Sequence, residues 1–405
     1  MLVFVNANLI DGSGAAPRKA QRVVIDEGRV ADIGRDCPVP SDAEIIDLEG
    51  KTLMPGLIDA HGHLGDHPLL DGAGLDNAER SNDYAQMRGL TLEAGITAIR
   101  SCGDFMPDIA VVRDKVNEGK LTGPRMYVSG KTFVARGGHP VTTVWANDPE
   151  TVNSCGCYPT TPEEARAGVR EMVLAGVDFI KIIIGDTQIF LWPEGFEPLK
   201  PEVVEAIIDE AHKCGKRVAC HVDHVDQGMM AVGFGADEIH HLIATASERY
   251  ERSEYARLFR YMNSSGTWLI PTITVPWAFE QRRIEKGCRL SGIGDILPVF
   301  RMAYEFGVQF GCGCDSGCPG VPWGKSLHQE LSDYVYHVGM TPLEAIRCAT
   351  WNNARMMRAD DDIGLVKAGH AADLIVLERD PSADIGNIAG IFMVLREGRI
   401  VVDHR

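Results

Sequence analysis

His61 and His63 flank a single glycine directly behind the apolar run Met54-Pro-Gly-Leu-Ile58. In extended chain, residues two apart face the same way, so both imidazoles leave the end of one strand on one side and can share a metal ion. A lone His-x-His pair is weak evidence, because polar loop histidines are common. Three more ligand-type residues follow at comparable places. His221 follows Arg217-Val-Ala-Cys220, His241 closes Glu238-Ile-His-His241, and Asp315 follows Gly311-Cys-Gly-Cys314. Imidazole and carboxylate donors together suit a hydrolytic metal site. Lys181 is the odd member, an ammonium inside the apolar run Phe179-Ile-Lys-Ile-Ile-Ile184, where burying the charge is costly. A buried salt bridge is one reading. The other is carboxylation by CO₂, which turns a cation with no lone pair into a carbamate whose two oxygens bridge two ions.

These residues need a scaffold that brings the ends of several strands to one face. Eight strand-like runs meet that need: Gly56–Asp59, Ile96–Ile99, Arg125–Val128, Phe179–Ile184, Arg217–Cys220, Glu238–His241, Trp268–Ile270 and Val308–Gly311. Helical patterns alternate with them, the signature of βαβ units. Pro201 to Lys213 carries Val204, Ile207, Ile208 and Ala211 at helical spacing behind a first-turn proline. Thr341 and Glu344 form a capping-box pattern before Ala345-Ile346. The expected class is α/β, a (β/α)₈ TIM barrel over residues 55–355 with its active face at the C-terminal ends of the strands. Short β-rich runs near both termini, Val23–Ile25, Glu44–Ile46, Leu374–Leu377 and Phe392–Leu395, are expected to pair as a small β-sandwich built from 1–54 and 356–405.

Composition excludes several functions. The 405 residues are 45% hydrophobic and 24% charged, an ordinary globular balance, and the formal net charge of −17 repels a phosphate backbone. No nucleic-acid partner is expected. No run approaches the roughly 20 apolar residues of a membrane helix, and the start lacks a basic n-region. Eleven cysteines scattered through apolar segments read as reduced thiols, so a cytoplasmic location is expected. The expected partner is a small-molecule substrate, with a homo-oligomer left open.

The ordered motifs Pro55-Gly-Leu-Ile-Asp-Ala-His-Gly-His63, Gly176-Val-Asp-Phe-Ile-Lys181, His221, Gly235-Ala-Asp-Glu-Ile-His-His241, Asp315 and Gly369-His-Ala-Ala-Asp-Leu-Ile-Val376 span nearly the whole chain. In them the sequence resembles the amidohydrolase superfamily, in its prolidase-like and imidazolonepropionase-like branch. The resemblance implies two divalent ions, zinc being the expected metal: His61, His63 and Asp315 on the first, His221 and His241 on the second, and N6-carboxylated Lys181 bridging both. It further implies a hydrolase of amide-like C–N bonds, with a hydroxide shared by the ions as nucleophile and Asp315 shuttling its proton to the leaving nitrogen. His139 resembles a substrate-facing histidine and would hydrogen-bond the oxyanion. Trp145, Trp192 and Trp323 fall in loops on the same face and are candidate pocket walls, against the alternative of packing under those loops. Asp223, two residues past His221, is a further candidate substrate contact, with pairing to a loop group as its alternative. Lactone, carbamate or phosphotriester hydrolysis on the same site, and a non-catalytic scaffold, are the competing functions.

Two departures from the family pattern stand out. His240-His241 replaces Glu-His-Gly. Because neighbouring strand residues face opposite ways, His241 is taken as the ligand and His240 is expected to pack towards helices or a loop. Cys312 and Cys314 replace the Gly-Thr before the strand-eight aspartate, and Cys314 is read as packing. Cys155-Gly-Cys157 is read as a local turn with free thiols.

Overall fold

The computed structural model describes residues 1–65, 82–185, 196–242, 251–285 and 293–405. Its architecture is mixed α/β with two parallel sheets and a third, mainly antiparallel one. Every one of the eight anticipated runs carries a strand. Leu57–Gly62, Ile96–Ser101 and Arg125–Val128 form a three-stranded parallel sheet. Ile180–Ile183, Val218–Val222, Glu238–His241, Trp268–Ile270 and Gln309–Phe310 lie side by side, in sequence order, in a seven-stranded parallel sheet. Parallel strands are covered on both faces, which is why Ile180, Ile182, Val218 and Ile239 are all buried.

The remaining two strands of that sheet correct an expectation. Gly156–Cys157 pairs in parallel with Thr132–Phe133, so of the Cys-Gly-Cys segment Cys155 ends a short helix, Pro149–Cys155, and Gly156–Cys157 is an edge strand. Its backbone polar groups gain ladder partners there, a demand that a cysteine spacing does not reveal.

Backbone hydrogen bonds connect the two parallel sheets. The segment behind Gln309–Phe310 runs along the His61 strand: Ala60 N donates to Cys312 O (3.0 Å), Asp315 N to His61 O (2.8 Å) and His63 N to Ser316 O (2.7 Å). Gly313 is a glycine for this contact, since a Cβ there would lie 2.6 Å from the His61 nitrogen. On the other edge, Asp178 N donates to Val128 O at 2.8 Å.

Helices cover the sheets through apolar stripes. In Pro201–Lys213, Val204, Ile207, Ile208 and Ala211 are all buried, each large aliphatic contributing about 1.5–3 kcal/mol by leaving water. The helix Pro342–Arg347 starts as expected, with Thr341 Oγ1 accepting from Glu344 N while Glu344 accepts from Thr341 N. The third sheet has eight strands drawn from both ends of the chain. Its centre is the antiparallel pairing of Thr52–Pro55 with Leu374–Leu377, and Phe4, Val23, Leu53, Leu374 and Leu395 share its core. Among the described residues no helix is long and apolar enough to cross a membrane.

Candidate metal centre

The strand ends deliver their polar residues to one place. The ring centroid of His61 stands 5.6 Å from that of His63, 4.8 Å from His241 and 4.6 Å from His240, while His221 lies 4.2 Å from His241. The donor atoms of His61, His241 and Asp315 fall within 4.8 Å of one another, and all three residues are buried. Nε2 of His61 and Nε2 of His63 face Oδ1 of Asp315 at 3.4 and 3.2 Å. That oxygen is buried and has no hydrogen-bond partner among the described residues. A buried carboxylate oxygen left so, with two imidazole nitrogens turned towards it, fits a position completed by a cation.

The backbone is bent to hold this arrangement. Asp315 and His241 have φ of 61° and 72°, sparsely populated for residues with a side chain. The bend at His241 overturns one expectation. Alternation of facing holds only while both residues are extended, and the left-handed turn brings His240 and His241 to the same cluster. His240 is fully buried, with Nδ1 2.7 Å from Nδ1 of His61 and 3.1 Å from Nζ of Lys181.

Around the cluster, further groups fix the rings. The backbone carbonyl of Gly103 accepts from Nδ1 of His63 (3.0 Å), and Trp323 donates its indole hydrogen to the His63 carbonyl (2.9 Å). Nδ1 of His241 pairs with Thr272 Oγ1 at 2.7 Å. Asp59 anchors the loop behind Asp315 by accepting from Cys314 Sγ (3.1 Å) and Ser316 Oγ (3.0 Å), and burial pushes its carboxyl up to about 6. Asp104 accepts from the amides of Leu64 and Gly65, holding the chain just past His63. Cys314 is thus occupied by Asp59, inside the core.

Burial sets the protonation states. It lowers Lys181, whose side chain is 1% exposed, and it lowers His61 and His241 well below the usual imidazole range. Burial, and then the Lys181 charge, push His240 down to about 3. Neutral imidazoles carry the lone pairs that metal ligation requires. Burial acts the other way on Asp315, but His63 beside it, then Lys181 and His221, hold it below the ordinary carboxylate value.

The other anticipated residues divide. His139 reaches the cluster, its ring 5.1 Å from that of His221 and its Nδ1 2.7 Å from Thr143 Oγ1. Asp223 is buried, and its Oδ1 lies 3.0 Å from Nε2 of His221. Trp145 is 2% exposed in an apolar cluster with Phe105, Val134, Val141 and Ile183. Trp192 lies outside the described residues. Sequence reasoning missed Cys102, whose sulfur lies within 4.8 Å of ligand atoms on His61 and His240, and the buried pair Arg100 and Glu238. Charged residues inside Ile96–Ser101 and Glu238–His241 carried the same signal that singled out Lys181.

A model of the amidohydrolase family matches residues 52–401. The chain belongs to the amidohydrolase family. This amidohydrolase is 28% identical to the ochratoxinase of Aspergillus niger over 93% of its own length and 81% of that protein's. It is 23% identical to the imidazolonepropionase of Micrococcus luteus over 94% of each chain. Among solved structures, a Xaa-Pro dipeptidase with bound methionine in the active site superimposes with a TM-score of 0.84 at 27% identity, over 98% of this chain and 99% of that one. The prolidase-like and imidazolonepropionase-like resemblance read from the motifs is therefore borne out, as is the expectation of an amide-bond hydrolase.

Proposed function

We propose that this amidohydrolase cleaves an amide-like C–N bond in a small molecule with the help of two divalent ions, zinc being the favoured metal. The observation that carries the reading is the buried Oδ1 of Asp315, without a hydrogen-bond partner among the described residues, facing Nε2 of His61 and His63. His61, His63 and Asp315 would hold one ion, His221 and His241 the other, and carboxylated Lys181 would link them. When bound, the ions supply an activated water and polarise the carbonyl to be attacked. The joined parallel sheets support a (β/α)₈ barrel over 55–355, and the sheet shared by the chain ends supports a separate small β domain from 1–54 and 356–405.

The chain's own groups then do the following. Asp315, ionised and buried, accepts a proton from the attacking water and returns it to the leaving nitrogen. An amide depends on that return more than an ester does, because an amine anion is a poor leaving group. His139, held by Thr143, donates to the oxygen on which negative charge develops. Gly103 holds the His63 ring through Nδ1 and Trp323 holds its backbone carbonyl, so the ring keeps its orientation during the reaction.

The named relatives act on different molecules, so the substrate is best approached by screening. Protein loaded with zinc in the presence of bicarbonate is assayed against amides, N-acyl amino acids, dipeptides, lactones and phosphotriesters, with metal content read in parallel. About two ions per chain and turnover confined to C–N substrates are expected. Turnover that survives complete metal removal sinks the metal reading, and turnover of lactones or phosphotriesters alone replaces the amide reading.

A further inference from the structure

A histidine that binds a metal must offer one ring nitrogen as a lone pair, and the hydrogen on its other nitrogen decides which one is offered. For His63 a backbone carbonyl decides: Gly103 O can only accept, so Nδ1 carries the hydrogen and Nε2 is left facing Asp315. His61 is controlled differently. Its Nδ1 partner is a second imidazole, Nδ1 of His240 at 2.7 Å, and two ring nitrogens that close have one hydrogen between them.

Which ring carries that hydrogen is settled on the far side of His240. Its Nε2 lies 3.0 Å from Oε2 of Glu238. Glu238 is paired through both oxygens with Arg100, at 3.1 and 2.7 Å, and the Arg100 guanidinium stacks over Phe179 at 4.0 Å. A carboxylate so paired only accepts, so His240 donates through Nε2. Nδ1 of His240 is then a lone pair, His61 must donate to it through Nδ1, and Nε2 of His61 is the nitrogen left free. That nitrogen faces Asp315. Nζ of Lys181, 3.1 Å away, sits on the same His240 nitrogen.

We infer that Arg100, Glu238 and His240 form a buried positioning relay that locks His61 in its Nδ1–H tautomer and steadies Lys181, so that both present their ligand atoms to the metal centre. His61, Lys181, Arg100, Glu238 and His240 are each no more than 2% exposed, so water cannot replace a missing partner. The relay also accounts for an otherwise unfavourable feature, since a buried ion pair is commonly no more stabilising than apolar residues of the same volume. Its metal consequence rests on the proposed metal-dependent function; the tautomer does not.

The tautomer is read first, in metal-free wild-type protein labelled with ¹⁵N-histidine, by long-range ¹H–¹⁵N correlation. The His61 and His240 signals are assigned by their loss in His61→Asn and His240→Phe. Hydrogen on Nδ1 of His61 and on Nε2 of His240 is expected, and hydrogen on Nε2 of His61 overturns the relay. Zinc titration reads the consequence. His240→Phe, which keeps the ring volume and the Arg100 pair, should bind zinc about 10–100-fold more weakly. His240→Gln, whose amide oxygen accepts from His61, should recover most of that loss. Wild-type affinity in a His240→Phe protein that melts as a folded chain overturns the inference. Failure of the wild type to bind zinc at all would instead refute the metal reading, with the spectra still deciding the tautomer.

Discussion

Oδ1 of Asp223 and Nε2 of His221 lie 3.0 Å apart, both residues buried, one strand step beyond the point where His221 enters the cluster. A carboxylate beside a candidate ligand does two things: it orients the ring, and it adds negative charge at the substrate's edge of the site. Repulsion between it and a substrate carboxylate about 4 Å away is on the order of 4 kcal/mol near a protein surface. The amidohydrolase is therefore expected to prefer an N-acyl amino acid amide or ester over the free acid. Asp223→Tyr should move that preference towards the acid. A wild-type preference for the free acid that is unchanged in the variant defeats the idea.

Lys181→Ala removes the group expected to link the two ions, and like charges left without a shared anion repel. The variant should fold, since a small side chain replaces a costly buried amine, yet lose most bound metal and activity. Bicarbonate or a short carboxylic acid added to it should restore part of the activity. Elemental analysis checks the first point and a rescue titration the second. Full metal content in Lys181→Ala contradicts the bridging role.

Asp315→Asn keeps the size and most of the contacts of the residue but cannot take up a proton. The expected effect is a fall in kcat of at least about 10²-fold with the fold intact, the scale of a lost general acid or base. Anilide substrates should suffer less than alkylamides, because their leaving group needs less help. Equal losses on both would assign Asp315 to metal binding alone.

Trp145 is expected to act through packing. Among Phe105, Val134, Val141 and Ile183 its indole is nearly sealed from water. Trp145→Ala should cost about 3–5 kcal/mol of stability, the usual range for an aromatic deleted from a core. KM for any substrate should change little in Trp145→Phe, which keeps most of the volume. A large KM change in Trp145→Phe at near-normal stability would return this residue to the pocket wall.

The ligand residues were legible because their types are wrong for their places. His61, His221 and Asp315 end apolar runs, and Lys181 interrupts one, so simple burial arguments mark them without knowledge of the fold. The alternation of strands and helices likewise announces parallel sheets, and each of the eight anticipated runs became a strand. What the sequence could not supply was direction. The left-handed φ at His241 goes with a hydrogen bond from Leu242 N to the Val222 carbonyl and with Thr272 holding the ring, both contributed by other segments of the chain. That bend, not the local pattern, turned His241 into the cluster that His240, in register with His221, already faces. In the same way Arg100 and Glu238 are 138 residues apart and meet across neighbouring sheets, so their pairing exists only once the chain has folded. Side-chain type follows from burial cost, which is local; the orientation of a buried ring follows from hydrogen bonds whose partners tertiary contact alone brings within reach.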